Sequence, residues 1–190
     1  MFYRFARAIV RFIISILFKI KVEGFENIPK EGACILCPNH KSYWDPPLIG
    51  CINKRPIYFM AKYELFGFPV LGFLIKNLNA FPVKRGTSDI NAIKMALKVL
   101  KEGKALCIFP EGTRNRGTGL LKGEPGAALI AIKSKSPIIP IYIDGNYNLF
   151  SKITVRIGKP FYLECAEKLS NKQLEEQSNI IMNKIAELIY

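Results

Sequence analysis

In the opening stretch MFYRFARAIVRFIISILFKI every position is apolar except Arg4, Arg7, Arg11, Ser15 and Lys19. At about 100° per helical residue those five side chains fall within an arc of roughly 120°. The pattern predicts an amphipathic helix over residues 1–21 with a wide apolar face. The arginines interrupt the apolar run and no small-residue cleavage site follows, which argues against a signal peptide. A spanning helix needs about 20 consecutive apolar residues, and the runs here are far shorter. Two readings are open: an interfacial helix with its cations at anionic headgroups, or a helix packed on the protein's own core. The width of the apolar face favours the membrane.

Beyond the turn-rich VEGFENIPKEG, the period changes. Short β-prone runs occur at GACILC, PIYFMA, KALCIF, PIIPIYI and KITVRIG. Between them Ser88 to Lys101 reads as a helix, with Ile93, Leu97 and Leu100 on one face and Gly103 as its stop. A second helix is expected from about Gly126 to Lys133. The last begins at SNKQ, where Ser170 and Gln173 form a capping box, and continues through Leu174, Ile181, Ile185 and Leu188. Strands alternating with helices imply one α/β domain over residues 22–190, its central sheet mostly parallel or mixed and flanked by helices. The apolar segment YELFGFPVLGFLIKNL reads either as the lining of a pocket or as core, and apolar stretches are usually core.

Charge adds a constraint on partners. The 190 residues carry a formal charge of +13, a field that favours nucleic acid, an anionic membrane surface or an acidic substrate. No RNA- or DNA-binding motif occurs, and no basic helix suited to reading bases, so nucleic acid is not an expected partner. Neither phosphate-cradling glycine motif is present. Five cysteines form no disulfide framework. Cys34 and Cys37 make a C-x-x-C, but strand alternation sends residues three apart to opposite faces. With one histidine in the chain no metal set assembles, and no bound cofactor is expected.

That histidine lies in NHKSYWDP, Asn39 to Pro46, beside the only tryptophan. His40 follows a strand, where α/β sheets usually bind ligands. Asp45 precedes Pro46 and Pro47, and proline suits a helix's first turn. A turn through HKSYWD would return the carboxylate to the imidazole, fixing its tautomer and leaving the other ring nitrogen as a general base. Read alone, the pair is equally a helix-capping aspartate beside a loop histidine. No nucleophile elbow is present, so a base of this kind would activate a hydroxyl on the substrate.

Two further loops bear on the choice. CIFPEGTRNRG crowds Glu111, Gly112, Thr113, Arg114 and Arg116 into a short glycine-bounded turn after a strand, and FPVKRG places Lys84 and Arg85 after another apolar run. Arginine binds phosphate bidentately, and glycine lets backbone approach a ligand. Cationic loops after successive strands point to one convergent anion site.

These blocks together resemble the glycerolipid acyltransferases, the family of the 1-acylglycerol-3-phosphate (lysophosphatidic acid) acyltransferases. NHKSYWDP resembles the family's N-H-x-S-x-x-D-P block and FPVKR its second block. FPEGTRNR is similar to its F-P-E-G-T-R-S block, with Asn115 where serine is usual, and PIIPIYI to its Val-Pro-rich block. The four stand in the family's order across roughly residues 30 to 145. The resemblance implies acyl transfer from a thioester of coenzyme A or acyl carrier protein to the free hydroxyl of lysophosphatidic acid, giving phosphatidic acid. It implies His40 as base, Asp45 as its orienter, Arg85 on the acceptor phosphate, and Glu111, Gly112, Thr113 and Arg114 in the acceptor site. It implies peripheral attachment to the cytoplasmic face of the cell membrane. A different acceptor, such as glycerol 3-phosphate or a lyso-aminolipid, would use the same base. A non-catalytic basic membrane-binding protein would not need these blocks in order.

Overall fold

The computed structural model describes residues 2–84, 86, 89–163 and 170–190. Its seven strands are β1 (Lys19–Glu23), β2 (Cys34–Pro38), β3 (Ile57–Lys62), β4 (Ala80–Val83), β5 (Ala105–Cys107), β6 (Ile138–Asp144) and β7 (Lys152–Ile157). They form one sheet in the order β1-β7-β6-β2-β5-β3-β4. β2 to β6 run parallel. β7 is antiparallel to β6, and β1 is parallel to β7, so the sheet is mixed. The helices are α1 (Phe2–Leu17), α2 (Asp45–Ile52), α3 (Pro69–Asn77), α4 (Ile90–Lys101), α5 (Pro125–Ser134) and α6 (Asn171–Ala186).

β2 is apolar at all but its last position and buried throughout, as a central parallel strand should be. Its alternation divides the core. Cys34 and Leu36 join one hydrophobic cluster with Ile14 of α1 and Leu48, Ile49 and Cys51 of α2. Ile35 and Cys37 join the other, with Ala96 and Leu100 of α4, Ala128 and Ile130 of α5, and Ile181 and Ile185 of α6. The two cysteines therefore face opposite sides, and burial pushes both thiols up. The crossovers β2–α2–β3 and β3–α3–β4 step the same way across the sheet. β4–α4–β5 and β5–α5–β6 step back. Right-handed crossovers thus put α2 and α3 on one face and α4 and α5 on the other, and the core clusters add α1 to the first and α6 to the second.

Asp89 caps α4 by accepting from the amides of Asn91 and Ala92, one residue after the expected start. Ser88 lies outside the described residues. The Ser170–Gln173 capping box of α6 forms as its spacing predicts. Two expectations are revised. The first helix ends at Leu17, because Lys19–Glu23 pairs with β7 as an edge strand. The apolar segment after β3 is not core: it makes a short 3-10 helix (Tyr63–Gly67) and then α3, in which only Gly72 is buried. It crosses at the β4 margin of the sheet, where a four-residue last strand offers little surface to cover.

α1 shows both features weighed from its sequence. Ala6 and Ile14 are buried, and Arg7 donates to the carbonyls of Asn53 and Lys54 at the end of α2. Phe5, Ile9, Phe12 and Ile16 remain exposed. Among the described residues no helix is long and apolar enough to cross a membrane.

Candidate active site

The C-terminal ends of β2, β4, β5 and β6 meet at one edge of the sheet, and each delivers a loop there. Asn39 begins the first. Its side chain donates to the carbonyl of Ile143 at 3.1 Å and accepts from that residue's amide at 2.6 Å. This side-chain rung prolongs the β2–β6 ladder past Pro38 and fixes where His40 leaves the sheet.

The loop then curls around Asp45. Oδ2 of this fully buried carboxylate lies 2.8 Å from Nδ1 of His40 and accepts the amides of Lys41 and Ser42, each at 2.7 Å. An ionised carboxylate only accepts, so Nδ1 carries the proton and Nε2 presents its lone pair. Among the described residues no protein group bonds to Nε2. The side chain of His40 is 8% exposed, and Phe109 stacks on its ring at 4.1 Å. Asp45 is the first residue of α2 and caps no helix amide, since the cap position is Trp44 and makes no side-chain bond. Of the two readings of the pair, the structure shows the carboxylate as the partner of the imidazole and the acceptor for the turn before the helix.

The FPEGTRN turn grips His40 by its backbone. Oε1 of Glu111 accepts the His40 amide at 2.8 Å and Oε2 accepts the Leu121 amide at 3.1 Å. The Asn115 amide donates to the His40 carbonyl at 2.7 Å. Burial raises the pKa of Glu111, and the two amides and His40 pull the other way. With both oxygens bonded to backbone, Glu111 sets the position of His40 from behind. Gly112 has φ +65°, and a β-carbon there would lie 2.7 Å from Cγ of Glu124, so both backbone and space require glycine. Thr113 is exposed on the rim. Arg114 lies flat on the Tyr43 ring, 3.5 Å from its centre, and donates to its hydroxyl at 2.8 Å. Arg85 lies outside the described residues. Its neighbour Lys84 follows β4 and sits over the Tyr63 ring.

Beside Phe109 a cavity of about 560 Å³ runs between α4, α5 and the start of α6, with apolar walls at Ile93, Ile108, Ala127, Ile130 and Leu174 and polar ones at Asp89, Glu124 and Glu175. Asn39, Phe109 and Asn115 stand in the sequence blocks without a role assigned to them, and Tyr147 carried no sequence signal. The hydroxyl of Tyr147, after β6, donates to Oδ1 of Asp45 at 2.5 Å. A buried base with a free nitrogen, cations on the rim and a partly apolar recess beside them suit proton abstraction from an anionic amphiphile.

The sequence model of the acyltransferase family matches residues 19–144. The chain belongs to the acyltransferase family. This acyltransferase is 32% identical to the 1-acyl-sn-glycerol-3-phosphate acyltransferase of Bacillus subtilis, over 98% of this chain and 96% of that protein. It is 30% identical to the protein of the same name from Streptococcus pneumoniae, over 99% of this chain and 73% of that one. The crystal structure of the 1-acyl-sn-glycerophosphate (LPA) acyltransferase PlsC from Thermotoga maritima matches it with a TM-score of 0.74 at 25% identity. That match covers 98% of this chain and 80% of the other.

Proposed function

We propose that this acyltransferase moves a fatty acyl group from a thioester to the free hydroxyl of lysophosphatidic acid, forming phosphatidic acid. The observation that carries the reading is the buried His40–Asp45 pair with Nε2 free at the mouth of the site. Nε2 takes the hydroxyl proton as the alkoxide oxygen bonds to the thioester carbonyl carbon. The tetrahedral intermediate then expels the thiolate, the C–S bond breaks, and the proton on Nε2 passes to sulfur. Asp45 stabilises the imidazolium between these steps. Arg114 on the rim and Arg85 after β4 hold the acceptor phosphate, each with a guanidinium fork suited to it. Gly112 and Thr113 shape the same rim, Glu111 fixes His40, and the recess beside Phe109 takes apolar chain. The reaction needs no bound cofactor, because the thioester, on coenzyme A or acyl carrier protein, is a co-substrate. Both carriers are anionic, as the basic surface favours.

An anionic bilayer is the proposed partner, at the cytoplasmic face and without a spanning segment. Support comes from the exposed apolar side chains of α1 and from α3, where Val70 is 82% and Phe73 67% exposed on the same face of the sheet. A monomer seldom presents so much apolar surface to water. The lyso-ornithine lipid O-acyltransferase of Pseudomonas aeruginosa, 31% identical over 59% of this chain, makes the acceptor a question worth testing directly. The test offers purified protein labelled oleoyl-coenzyme A or oleoyl-carrier protein in mixed micelles. Lysophosphatidic acid, glycerol 3-phosphate and a lyso-ornithine lipid compete as acceptors. Labelled phosphatidic acid as the main product is the expected result, and preference for another acceptor overturns the assignment.

A further inference from the structure

We propose that Tyr147 is a positioning residue for the His40–Asp45 base: its hydroxyl holds the second oxygen of Asp45 and sets how strongly the dyad keeps its proton. The proposal rests on the catalytic reading above for its kinetic arm alone.

The carboxylate of Asp45 is divided cleanly. Oδ2 serves His40, Lys41 and Ser42, and Oδ1 serves Tyr147. With both oxygens engaged the carboxylate cannot turn about its terminal torsion, so the imidazole meets one fixed acceptor. The phenol stays protonated, because burial, the charge of Asp45 and their hydrogen bond all raise its pKa. It is therefore a permanent donor. Its position is not a by-product of the loop. Tyr147 has φ +55°, a left-handed conformation that favours glycine or asparagine. A tyrosine there points to the side chain as the reason for the residue. The ring stands edge-on to Phe18 at 5.4 Å, and Phe18 stands edge-on to Trp44 at 5.6 Å. This aromatic stack steadies the hydroxyl.

A hydrogen bond to Oδ1 withdraws charge from the carboxylate and so moderates its hold on a protonated imidazole. The other titratable groups facing the pair are Glu111, behind the His40 backbone, and Cys107, whose thiol burial pushes up. The Lys41 ammonium is turned over the Tyr142 ring. Removing the phenol hydroxyl leaves Asp45 more strongly negative, the imidazolium better stabilised, and the base occupied by a proton up to higher pH.

The variant is Tyr147→Phe, which keeps the ring against Phe18. Loss of one charge-assisted hydrogen bond is expected to lower kcat/KM about tenfold, mostly in kcat, and to move the lower limb of its pH profile up by about one unit. His40 is the only histidine, so nitrogen-15 histidine labelling reads its titration alone by NMR, with no assay required. That titration is expected to move the same way. 3-Fluorotyrosine at position 147 is a stronger donor and should move both to lower pH, and it serves if the phenylalanine variant does not fold. Superimposable titrations in all three proteins overturn the proposal, even with a lowered melting temperature, which would mark a structural role only. If no protein transfers acyl groups, the activity assignment fails and the NMR titration still decides the role of Tyr147.

Discussion

On one face of the sheet α4, α5 and α6 bury their apolar stripes and turn Lys94, Lys98, Lys101, Lys172 and Glu176 to water. On the other, α1 and α3 bury little and turn Phe5, Phe12, Val70 and Phe73 outward. Both layers are amphipathic helices on strands, and they differ in which way the apolar side faces. The polar-faced layer closes a cavity. The apolar-faced layer begins α2 at Asp45 and so carries the acid half of the dyad. A site assembled at the seam takes its acid half from the layer with apolar side chains outward and its recess from the layer with polar side chains outward.

The largest effect falls where the layers meet. His40→Ala is expected to cut turnover at least about a thousandfold while circular dichroism and melting temperature stay near wild type. Labelled phosphatidic acid formed at an undiminished rate would remove the base from the mechanism. Next comes the polar layer's grip on His40. Glutamine at position 111 keeps one acceptor but aims an NH2 at one of the two amides that Glu111 accepts, so Glu111→Gln should cost about 1–3 kcal/mol of stability. Activity should fall about 100-fold, since catalysis is sensitive to small misplacements; chemical denaturation and steady-state rates measure the two.

The comparison itself is sharpened by polar substitutions on each face. Phe5→Ser with Phe12→Ser, and Val70→Ser with Phe73→Ser, should each weaken co-sedimentation with anionic vesicles about a hundredfold, given about 1.5–3 kcal/mol per buried phenylalanine or valine. Equal binding by all proteins would show that the apolar face is not what meets lipid. Arg114→Ala should raise the acceptor KM about fivefold with kcat little changed, the mark of a group that binds substrate and transition state alike. Smallest is the control on the other face: Met95→Ser with Ile180→Ser, isolated exposed apolar residues, should leave vesicle binding unaltered and stability within about 0.5 kcal/mol.

What sequence made legible follows from contact range. His40 and Asp45 are five residues apart, so the turn that joins them could be drawn from spacing. Tyr147 is 102 residues from Asp45 along the chain, and no local pattern links them. The resemblance implies Glu111 in the acceptor site, yet its partners are the backbone amides of His40 and Leu121, groups that no side-chain motif marks. Asn115 read as a polar replacement for serine, although the contact with His40 comes from its amide. The capping boundaries of α4 and α6 came out within a residue because caps depend on adjacent side chains. β1 was missed because KIKVE continues the polar–apolar mixture of the helix before it, and only pairing with β7 makes it a strand. For segment 63–78 composition favours core over pocket lining. Its exposure depends on the sheet ending at β4, a topological fact outside any window of sequence.

Phe18 sets a limit on how this chain can be shortened. The ring that supports Trp44 and Tyr147 belongs to the residue just after α1, and the amide of Phe150 donates to the Leu17 carbonyl one position earlier. A chain trimmed to start at β1 would lose the prop beneath the dyad together with the helix, and would emerge as a crippled catalyst. The shortest trimmed form that retains the support begins at Phe18. Trimming to Phe18 thus separates the N-terminal helix from the support of the dyad, and trimming one residue further removes both.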